Sequence, residues 1–367
     1  MTNILSLCDG MSCGQIALRE LGIKYDRYYA SEIDKHCIRQ TQLNFPDTIQ
    51  LGDIENWREW DIDWASIRLI LAGTPCTGFS FAGKQLAFDD PQSRLILSFL
   101  EILNHARKYN PDVLFLLENV RMKKEYLRII SENVGVHPVL INSALVSAQN
   151  RNRYYWSNIR TKRVGLFGEF HTDIPQSADR GIVLRDILEN EVDGKYFLTA
   201  EQLDRILKKE PRINPRKSYC LMKSNRDCRR SVTLVLQLNP STESQGTQPY
   251  QQDRVYDTNY KSPALIAEMS CGSYAILQRG HGFNKGGIKE SKAPALTASD
   301  YPDSNFLLSE GSARRLTPTE CARLQTVPAW YRWDCSNTQQ YRMLGNGWTI
   351  EVIKHILSYL PKGFFNK

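Results

Sequence analysis

A cysteine and a glutamate occupy places in this sequence where their side chains could react together. Cys76 lies in the segment Ala-Gly-Thr-Pro-Cys-Thr-Gly-Phe-Ser, residues 72–80, and Glu118 lies in the segment Leu-Glu-Asn-Val. Each follows a short apolar run, residues 69–72 and 113–117, that predicts a buried strand. Because ligands of open α/β sheets bind at the carboxyl ends of the strands, we expect the thiol and the carboxylate to meet at one edge of a sheet.

A thiol beside a carboxylate fits one chemistry well, the addition of sulfur to carbon 6 of a pyrimidine. The carboxyl group would protonate ring nitrogen 3 or hydrogen-bond to it, and carbon 5 would become nucleophilic. Taken alone, each residue also has a structural interpretation. Cys76 would be a packed core thiol, and Glu118 would cap a helix that begins near Arg121.

Six further motifs accompany these two residues. They are Asn-Ile-Leu-Ser-Leu-Cys-Asp-Gly-Met-Ser-Cys-Gly (residues 3–14), Ala-Ser-Glu-Ile-Asp (30–34), Gly-Asp-Ile (52–54), Gln-Asn-Arg-Asn-Arg (149–153), Arg-Arg-Leu-Thr-Pro-Thr-Glu-Cys-Ala-Arg-Leu-Gln (314–325) and Leu-Gly-Asn-Gly-Trp (344–348). With them, the chain resembles the cytosine-5 DNA methyltransferase family over nearly its whole length. The residues after Arg153, the Asp9-Gly10 pair and the Gly347-Trp348 pair are more similar to phage enzymes and vertebrate de novo methyltransferases than to the usual restriction-associated enzymes.

The resemblance implies S-adenosylmethionine as the cofactor. In the family, the first glycine turn receives the amino-acid end of the methyl donor, an acid at the position of Glu32 accepts hydrogen bonds from the ribose hydroxyls, and Asp53 lies at the adenine amino group. The residues that the resemblance places at the cofactor are Cys8, Asp9, Gly10, Met11, Gly14, Glu32, Ile33, Asp53, Ile54, Gly73, Pro75, Leu97, Asn346 and Trp348. Cys8 departs from the pattern, because many members carry a phenylalanine there that stacks on the adenine, and a thiol does not replace that contact.

The resemblance also implies the catalytic residues and the DNA contacts. Cys76 and Glu118 act on a cytosine rotated out of the duplex, which is bonded covalently to Cys76 during methyl transfer to carbon 5. Arg153 donates to carbonyl oxygen 2 of the base, and Arg151 steadies the loop or a phosphate. Residues 77–92 are a predicted lid. The predicted DNA-binding residues are Ser80, Lys84, Arg94, Arg279, His281 and Asn284.

The composition limits the class of protein. At 367 residues with 41% apolar side chains, the chain is long enough for two globular domains. No apolar stretch approaches a membrane span, and a strand predicted from residue 4 leaves no room for a signal peptide. Nine cysteines without a Cys-x-x-Cys pair favour reduced thiols over disulfides, and no metal is implied. We expect a soluble monomer or weak dimer in the cytoplasm or nucleoid of a bacterial or phage-infected cell. Restriction-modification, phage self-protection and gene regulation all stay open as its role.

Positive charge permits a polyanionic partner, and the resemblance implies double-stranded DNA. The formal net charge is +7, which alone proves nothing about partners. Residues 208–230 hold nine lysines and arginines against Glu210 and Asp227. This segment is either a solvated surface loop or one that follows DNA phosphates, and the family resemblance favours the second interpretation.

The order of strands and helices predicts the architecture. Strand signals at residues 4–7, 28–30, 49–51, 69–72, 139–146 and 154–159 are interspersed with helix signals at residues 14–21, 35–44 and 93–108. This order indicates an α/β fold with a doubly wound mixed sheet of Rossmann-like type. Past residue 161 the composition shifts to polar residues, glycine and proline, with short strand-like runs. We therefore predict a catalytic domain at residues 1–175 and 311–367, and an inserted, mostly β or irregular target-recognition domain at residues 176–310.

Short similar segments recur inside the predicted insert. Arg-Ser-Val-Thr-Leu at residues 230–234, Lys-Ser-Pro-Ala-Leu at 261–265 and Lys-Ala-Pro-Ala-Leu at 292–296 are separated by a constant step of 31 residues. They predict three related hairpin-like units. Chance similarity between short segments is the alternative.

Two other functions stay open at this point. One is an RNA cytosine-5 methyltransferase of the same fold, although the chain lacks the Cys-Phe-Thr insert of that branch, and its large second domain favours duplex DNA. The other is a catalytically inactive, DNA-binding regulatory relative. Cys8 supports that alternative, whereas the presence of Cys76, Glu118, Arg151 and Arg153 argues against it.

Overall fold

The computed structural model describes residues 2–74, 94–199, 275–278, 287–290, 293–294, 305–309 and 312–364. The chain divides into two compact units. The first comprises residues 1–182, 295–298 and 322–367, and the second comprises residues 183–294 and 299–321. The predicted domain limits at residues 175 and 311 stay a prediction.

The first unit begins with alternating strands and helices. They are β1 (Asn3–Leu7), α1 (Cys13–Glu20), β2 (Arg27–Ser31), α2 (Lys35–Asn44), β3 (Ile49–Gln50), β4 (Ile67–Ala72), α3 (Arg94–Tyr109), β5 (Leu114–Val120), α4 (Lys124–Val134), β6 (Val139–Asn142), β7 (Gln149–Asn150), β8 (Asn152–Ser157), β9 (Thr161–Val164) and β10 (Glu169–Thr172). Short 3₁₀ helices lie at Ile54–Glu59, Trp64–Ser66 and Ser143–Leu145. These elements follow the predicted alternation because continuous apolar runs form buried parallel strands.

The remaining described elements complete both units. They are β11 (Ala275–Gln278), β12 (Gly287–Glu290), β13 (Ala293–Pro294), β14 (Asn305–Ser309), β15 (Ser312–Arg315), α5 (Pro318–Leu324), α6 (Asn337–Asn346) and α7 (Ile350–Leu357), with 3₁₀ helices at Leu184–Ile187 and Gly194–Tyr196. In the second unit, four antiparallel strands form a sheet in the order β12-β11-β14-β15. A buried ion pair, 2.7 Å between Arg314 and Glu320, joins β15 to the first turn of α5.

Seven of the described strands form the central sheet, in the order β3-β2-β1-β4-β5-β8-β6. Strands β3, β2, β1, β4 and β5 are parallel, and β8 runs antiparallel to both of its neighbours. The predicted mixed α/β fold, with a mostly parallel central sheet, is confirmed. The inserted target-recognition domain stays a prediction, and the segments at residues 230–234 and 261–265 lie outside the described residues.

Two predicted boundaries are wrong in an instructive way. Strand β5 does not end before Glu118 but continues to Val120, because β8 pairs with it through Val120 and Arg153. The strand predicted at residues 139–146 ends at Asn142 and gives way to a 3₁₀ helix. The side-chain oxygen of Asn142 accepts hydrogen bonds from the amides of Ala144 (3.1 Å) and Arg151 (3.0 Å), which holds the chain in a turn.

The interior of the first unit lies between the sheet and helices α3 and α4. Its fully buried side chains include Ile70, Phe99, Phe115, Leu117 and Trp156. In the part of the chain that the structure describes, no helix is long and apolar enough to cross a membrane. The described cysteines, Cys8, Cys13, Cys37, Cys321 and Cys335, are all free thiols.

Candidate active site

Glu118 is a buried carboxylate near the carboxyl end of β5. Its Oε2 accepts a hydrogen bond of 3.2 Å from the indole nitrogen of Trp348. Its Oε1 lies 3.0 Å from Nε of Arg153, an ion pair without hydrogen-bond alignment, and has no hydrogen-bond donor among the described residues. A buried acceptor without a donor is costly, on the order of 1–3 kcal/mol, and native proteins keep such atoms chiefly at functional sites. This unmet acceptor marks Glu118 as a candidate functional residue.

The side chain of Trp348 reaches Glu118 past the end of strand β4. The residue after that strand is Gly73, whose amide donates to the carbonyl of Leu7 at 3.3 Å. A Cβ atom at Gly73 would lie 2.7 Å from the indole nitrogen of Trp348, closer than such atoms approach. Glycine at position 73 is therefore required for the tryptophan to lie flat against the backbone and donate to Glu118. The sequence resemblance placed both residues at the cofactor, and that assignment stays a prediction; the structure shows the indole of Trp348 at the carboxylate of Glu118.

We expect Trp348→Phe to lower kcat by about 10- to 100-fold while changing the KM for the methyl donor little. A hydrogen bond to a charged group contributes about 1.5–3 kcal/mol, and each 1.4 kcal/mol is a factor of ten. The phenyl ring keeps the packing against Gly73 but has no N–H group for Glu118. Steady-state methyl-transfer kinetics with the methyl donor and DNA varied separately would measure both constants.

Trp330→Phe is the matched control, since its indole nitrogen donates to the carboxylate of Glu20 at 2.7 Å on the exposed surface. That variant should keep its kcat. A Trp348→Phe enzyme with an unchanged kcat and a raised KM for the methyl donor would instead support the assignment of Trp348 to the cofactor pocket.

The two arginines of the motif at residues 149–153 have different surroundings. Arg153 faces Glu118, and its Nη1 donates to the carbonyl of Asn152 at 2.9 Å. Arg151 is buried and donates to the carbonyl oxygens of Gly347 (3.0 Å) and Gly345 (3.4 Å). Burial lowers the pKa of Arg151 to about 10, and the charge of Arg153 acts in the same direction. Arg151 thus remains a cation at neutral pH and holds the turn that carries Trp348.

Gln325 supports the same turn. It is the last residue of the motif at residues 314–325, and no role was predicted for it from the sequence. Its side-chain nitrogen donates to the carbonyls of Leu344 (2.6 Å) and Gly347 (3.2 Å), and its side-chain oxygen accepts from the hydroxyl of Thr349 at 2.9 Å. The oxygen of Gly347 therefore accepts from both Arg151 and Gln325. Arg151 and Gln325 are 174 residues apart in the sequence, so no local pattern relates them.

The segment that leads to Cys76 is described as far as Thr74. This buried threonine lies beside Asn119, whose side-chain nitrogen is 3.5 Å from the carbonyl oxygen of Thr74 and 3.4 Å from its hydroxyl. Asn119 directly follows Glu118 in β5. The ends of β4 and β5 therefore lie side by side, and the predicted meeting of Cys76 with Glu118 stays a prediction.

The turn after β1 approaches the end of β2 through Glu32. One oxygen of Glu32 accepts from the amide of Gly10 at 2.7 Å, and the other accepts from the amides of Ile33 (2.8 Å) and Asp34 (2.9 Å). Gly10 has a left-handed backbone, φ 59°, which glycine adopts without strain. These bonds fix the carboxylate at the sheet edge, and its oxygens keep lone pairs for further donors.

Two of the apolar side chains predicted at the cofactor are exposed. Ile33 is 72% exposed, and Leu97, in the first turn of α3, is 42% exposed. Cys8 is half-buried against the core, and burial raises the pKa of its thiol, so the sulfur is neutral.

The other residues predicted at the cofactor have mixed positions. Asp9 is buried and accepts from the hydroxyl of Tyr28 at 2.9 Å, and burial raises its pKa to about 6. Asp53 accepts from the amide of Glu55 at 2.9 Å and so caps the 3₁₀ helix that contains the buried Ile54. Met11 and Gly14 are buried, and Asn346 is exposed at the end of α6. Pro75 lies outside the described residues.

Most of the predicted DNA contacts are not described. Arg94 is exposed at the first position of α3. Cys76 and the predicted lid at residues 77–92 lie outside the described residues, as do Ser80, Lys84, Arg279, His281, Asn284 and the basic segment at residues 208–230.

Comparisons with known proteins identify the family. The family model for C-5 cytosine-specific DNA methylase matches residues 2–362. The type II methyltransferase M.HgiCI of Herpetosiphon aurantiacus is 27% identical, over 96% of this chain and 95% of that protein. The orphan methyltransferase M.SPRI of Bacillus phage SPR is 24% identical, over 99% of this chain and 98% of that protein.

Solved structures share the fold. The methyltransferase EhMeth of Entamoeba histolytica superposes with a TM-score of 0.61 at 14% identity, and S. pombe Dnmt2 methyltransferase with a TM-score of 0.57 at 15% identity. Each comparison covers 98% of both chains. Because the family model spans nearly the whole sequence, the chain belongs to the C-5 cytosine-specific DNA methylases and is an enzyme of that family.

Proposed function

We propose that this enzyme transfers a methyl group from S-adenosylmethionine to carbon 5 of a cytosine that is rotated out of double-stranded DNA. The observation that carries the proposal is Glu118, a buried carboxylate with one oxygen oriented by Trp348 and the other without a hydrogen-bond donor among the described residues. Family membership supplies the reaction type, and this carboxylate supplies a group for the heterocycle.

Glu118 would act on nitrogen 3 of the cytosine. That ring nitrogen is an acceptor, so a protonated carboxyl group can donate to it and deliver the proton as negative charge develops on the ring. The indole of Trp348 fixes one oxygen and so sets the plane of the carboxyl group. Arg153, with its Nε 3.0 Å from the other oxygen, would use a further N–H group to bind carbonyl oxygen 2 of the base.

Cys76 would be the nucleophile. Thr74, two residues earlier, lies beside Asn119, and a span of two residues reaches at most about 7 Å. A free thiol titrates near pH 8.5, so the site must lower that pKa or remove the proton during the attack.

The proposed cycle begins with the attack of Cys76 on the base and ends with its release. The sulfur of Cys76 bonds to carbon 6, the C5–C6 electron pair shifts to form a C4–C5 double bond, and the C4–N3 electron pair takes up a proton from Glu118 at nitrogen 3. Carbon 5 takes up the methyl group that S-adenosylmethionine supplies from its sulfonium. Loss of the remaining proton from carbon 5, to a water molecule in our proposal, expels the sulfur of Cys76 and restores the double bond. Nitrogen 3 then returns its proton to Glu118.

The residues around Glu32 fit the adenosine part of S-adenosylmethionine. Ribose hydroxyls are donors, and the fixed carboxylate of Glu32 keeps lone pairs for them. Asp53 offers a second carboxylate for the adenine amino group, and the exposed side chains of Ile33 and Leu97 offer apolar surface. Cys8 adds a neutral sulfur where many relatives would stack a ring, so we expect the apolar contact to come from Ile33 and Leu97.

We expect Glu32→Gln to raise the Kd for S-adenosylmethionine by about 10- to 100-fold. The glutamine variant lacks the charge-assisted acceptor, which contributes about 1.5–3 kcal/mol. Its side-chain NH₂ group would also face a backbone N–H group that donates to Glu32 in the wild type. Isothermal titration calorimetry would measure the change. Glu132→Gln, an exposed position in α4, is the control and should bind as the wild type does; equal binding by both variants would remove Glu32 from the cofactor site.

The second unit would provide sequence recognition. We propose a catalytic domain at residues 1–175 and 311–367 and a target-recognition domain at residues 176–310, close to the unit limits at 182 and 321. Rotating a base out of a duplex costs a few kcal/mol, which contacts to the surrounding DNA would offset. The basic segment and Arg279, His281, Asn284, Ser80, Lys84 and Arg94 are the proposed contributors.

The experiment that tests the function is methylation by the purified enzyme. Labelled S-adenosylmethionine is incubated with duplex DNA or with total RNA, and bisulfite sequencing of methylated DNA then locates the modified cytosines. We expect label in DNA, at carbon 5 of cytosine within one sequence context. Label in RNA alone would support the RNA-directed alternative, and no transfer to either would support an inactive relative.

The relatives suggest the biological setting. M.HgiCI is named a type II methyltransferase, and M.SPRI is named an orphan methyltransferase of a phage. We propose that this enzyme likewise marks DNA in the cytoplasm of a bacterial or phage-infected cell, with a role in restriction-modification. Digestion of DNA from cells with and without the enzyme, using nucleases blocked at its methylated sites, would identify protected sequences.

A further inference from the structure

Three side chains that coordinate metals lie together outside the candidate active site. His137 lies between α4 and β6, and Glu169 and His171 lie in β10. One ligand atom from each lies within 4.8 Å of the others. The histidine rings are stacked with centroids 4.5 Å apart, and Nε2 of His137 lies 3.5 Å from Oε2 of Glu169. This histidine–glutamate cluster has no part in the chemistry proposed above.

Backbone hydrogen bonds hold the segments of the cluster together. His137 pairs with His171 as a parallel bridge, in which its amide donates to Phe170 and its carbonyl accepts from Thr172, both at 2.8 Å. Directly paired residues point to the same side of a sheet, and so do residues two apart on one strand. Glu169 and His171 are two apart, so all three side chains occupy one face.

We propose that His137, Glu169 and His171 bind a divalent first-row transition metal of the zinc type. Two imidazoles and one carboxylate are donors that Zn²⁺ prefers, and three protein ligands leave a fourth position for water. Ligand atoms around a tetrahedral zinc with bonds of about 2.0–2.1 Å are about 3.4 Å apart, close to the distance between His137 and Glu169.

The nearby charges permit a cation at this place. Lys162 of β9 pairs with His171 and so shares the face of the cluster. Its ammonium group lies 3.1 Å from Asp173, whose carboxylate also pairs with Arg160 at 3.0 Å. With Glu169, two carboxylates therefore balance these two cations. Glu169 adds a negative charge that is about half exposed, which leaves the site open to ions from solvent.

A bound ion would join two parts of the chain that are distant in sequence. The hairpin β9–β10 pairs only with itself among the described strands, and Thr172 bonds to Ser157 of β8 at 3.0 Å. Coordination by His137 would fix the hairpin to the segment that enters β6. The tip of this hairpin presents Leu166 and Phe167, both at least 90% exposed, and metal binding would hold that tip in one orientation.

The test uses the full chain after treatment with a chelator. Zn²⁺ is titrated by calorimetry, and Co²⁺ is titrated by visible absorption, in which histidine and carboxylate ligands give no thiolate-to-cobalt charge-transfer band. We expect one equivalent to bind, a rise in Tm with Zn²⁺, and loss of both in the His137→Asn/His171→Asn double variant. Glu169→Gln, at an exposed side chain, should weaken binding at least about tenfold even if the double variant folds poorly.

His36→Asn removes a histidine at the start of α2 and is the matched control, which should bind as the wild type does. All nine cysteines remain in every variant. Equal binding by wild type and by Glu169→Gln and the double variant would place the ion elsewhere and overturn the proposal. Absence of stoichiometric binding by the wild type would overturn it as well, and neither outcome depends on methyl-transfer activity.

Discussion

The Cys76→Ala enzyme loses methyl transfer by at least about 10⁴-fold, the order of loss seen when enzymes lose a nucleophile, and still binds its DNA sequence. The expectation follows from the proposed addition of sulfur to carbon 6, without which carbon 5 of cytosine is a poor nucleophile. Alanine removes the sulfur and little else from a segment whose start is held at Thr74 by Asn119. Labelled methyl transfer and equilibrium DNA binding measure the two properties separately.

A trapping experiment sharpens this prediction. In DNA with 5-fluorocytosine at the target, carbon 5 carries fluorine in place of the proton that must leave, so the bond to sulfur persists after methyl transfer. The wild type and the control Cys335→Ala should give a complex that survives denaturation, and Cys76→Ala should not. A Cys76→Ala enzyme that still methylates DNA, or still forms the complex, would contradict the proposed mechanism.

Glu118→Gln should lower kcat by about 10²- to 10⁴-fold, the usual contribution of a positioned general acid. Glutamine has the same shape, and its oxygen can still accept from Trp348. Its NH₂ group would then face the guanidinium of Arg153, and it cannot deliver a proton to nitrogen 3. The variant should therefore fold and bind S-adenosylmethionine while losing the chemical step, which single-turnover kinetics would reveal.

The chain contains a closely matched control for this substitution. Glu101 also accepts from a tryptophan, Trp57 at 3.3 Å, and from an arginine, Arg58 at 2.8 Å, but it lies half exposed on the surface. Glu101→Gln tests whether disturbing such a trio is harmful by itself, and it should leave kcat within about twofold. If Glu118→Gln keeps full activity, or loses cofactor binding and folding in parallel with activity, its assignment as the acid fails.

Local patterns predicted much of the fold. Helix α2 begins and ends where the sequence predicts, because Asp34 accepts from the amide of His36 and apolar periodicity ends at Asn44. Strands β1, β2 and β4 each differ from the prediction by one or two residues at their ends, since buried parallel strands are continuous apolar runs. Such signals depend on neighbours in the sequence, which is why they can be found there.

Contacts between distant residues could not be predicted in the same way. Trp348 and Glu118 are 230 residues apart, and neither periodicity nor composition relates them. The cluster of His137, Glu169 and His171 forms only because one isolated bridge aligns two segments, so the sequence alone suggested no metal. Arg151 and Arg153 likewise differ in their partners, since Arg151 donates to the carbonyl of Gly347 and Arg153 pairs with Glu118. Both partners are distant in the sequence or on another strand.

Both ends of the described chain meet in the same unit. Helix α7 packs against α1, the amide of Trp348 lies 3.4 Å from the sulfur of Cys13, and the hydroxyl of Tyr331 donates to the carbonyl of Met11 at 2.8 Å. During protein synthesis, β1 and α1 leave the ribosome long before these partners are translated. A nascent chain therefore lacks the indole that donates to Glu118 until residue 348 has been translated.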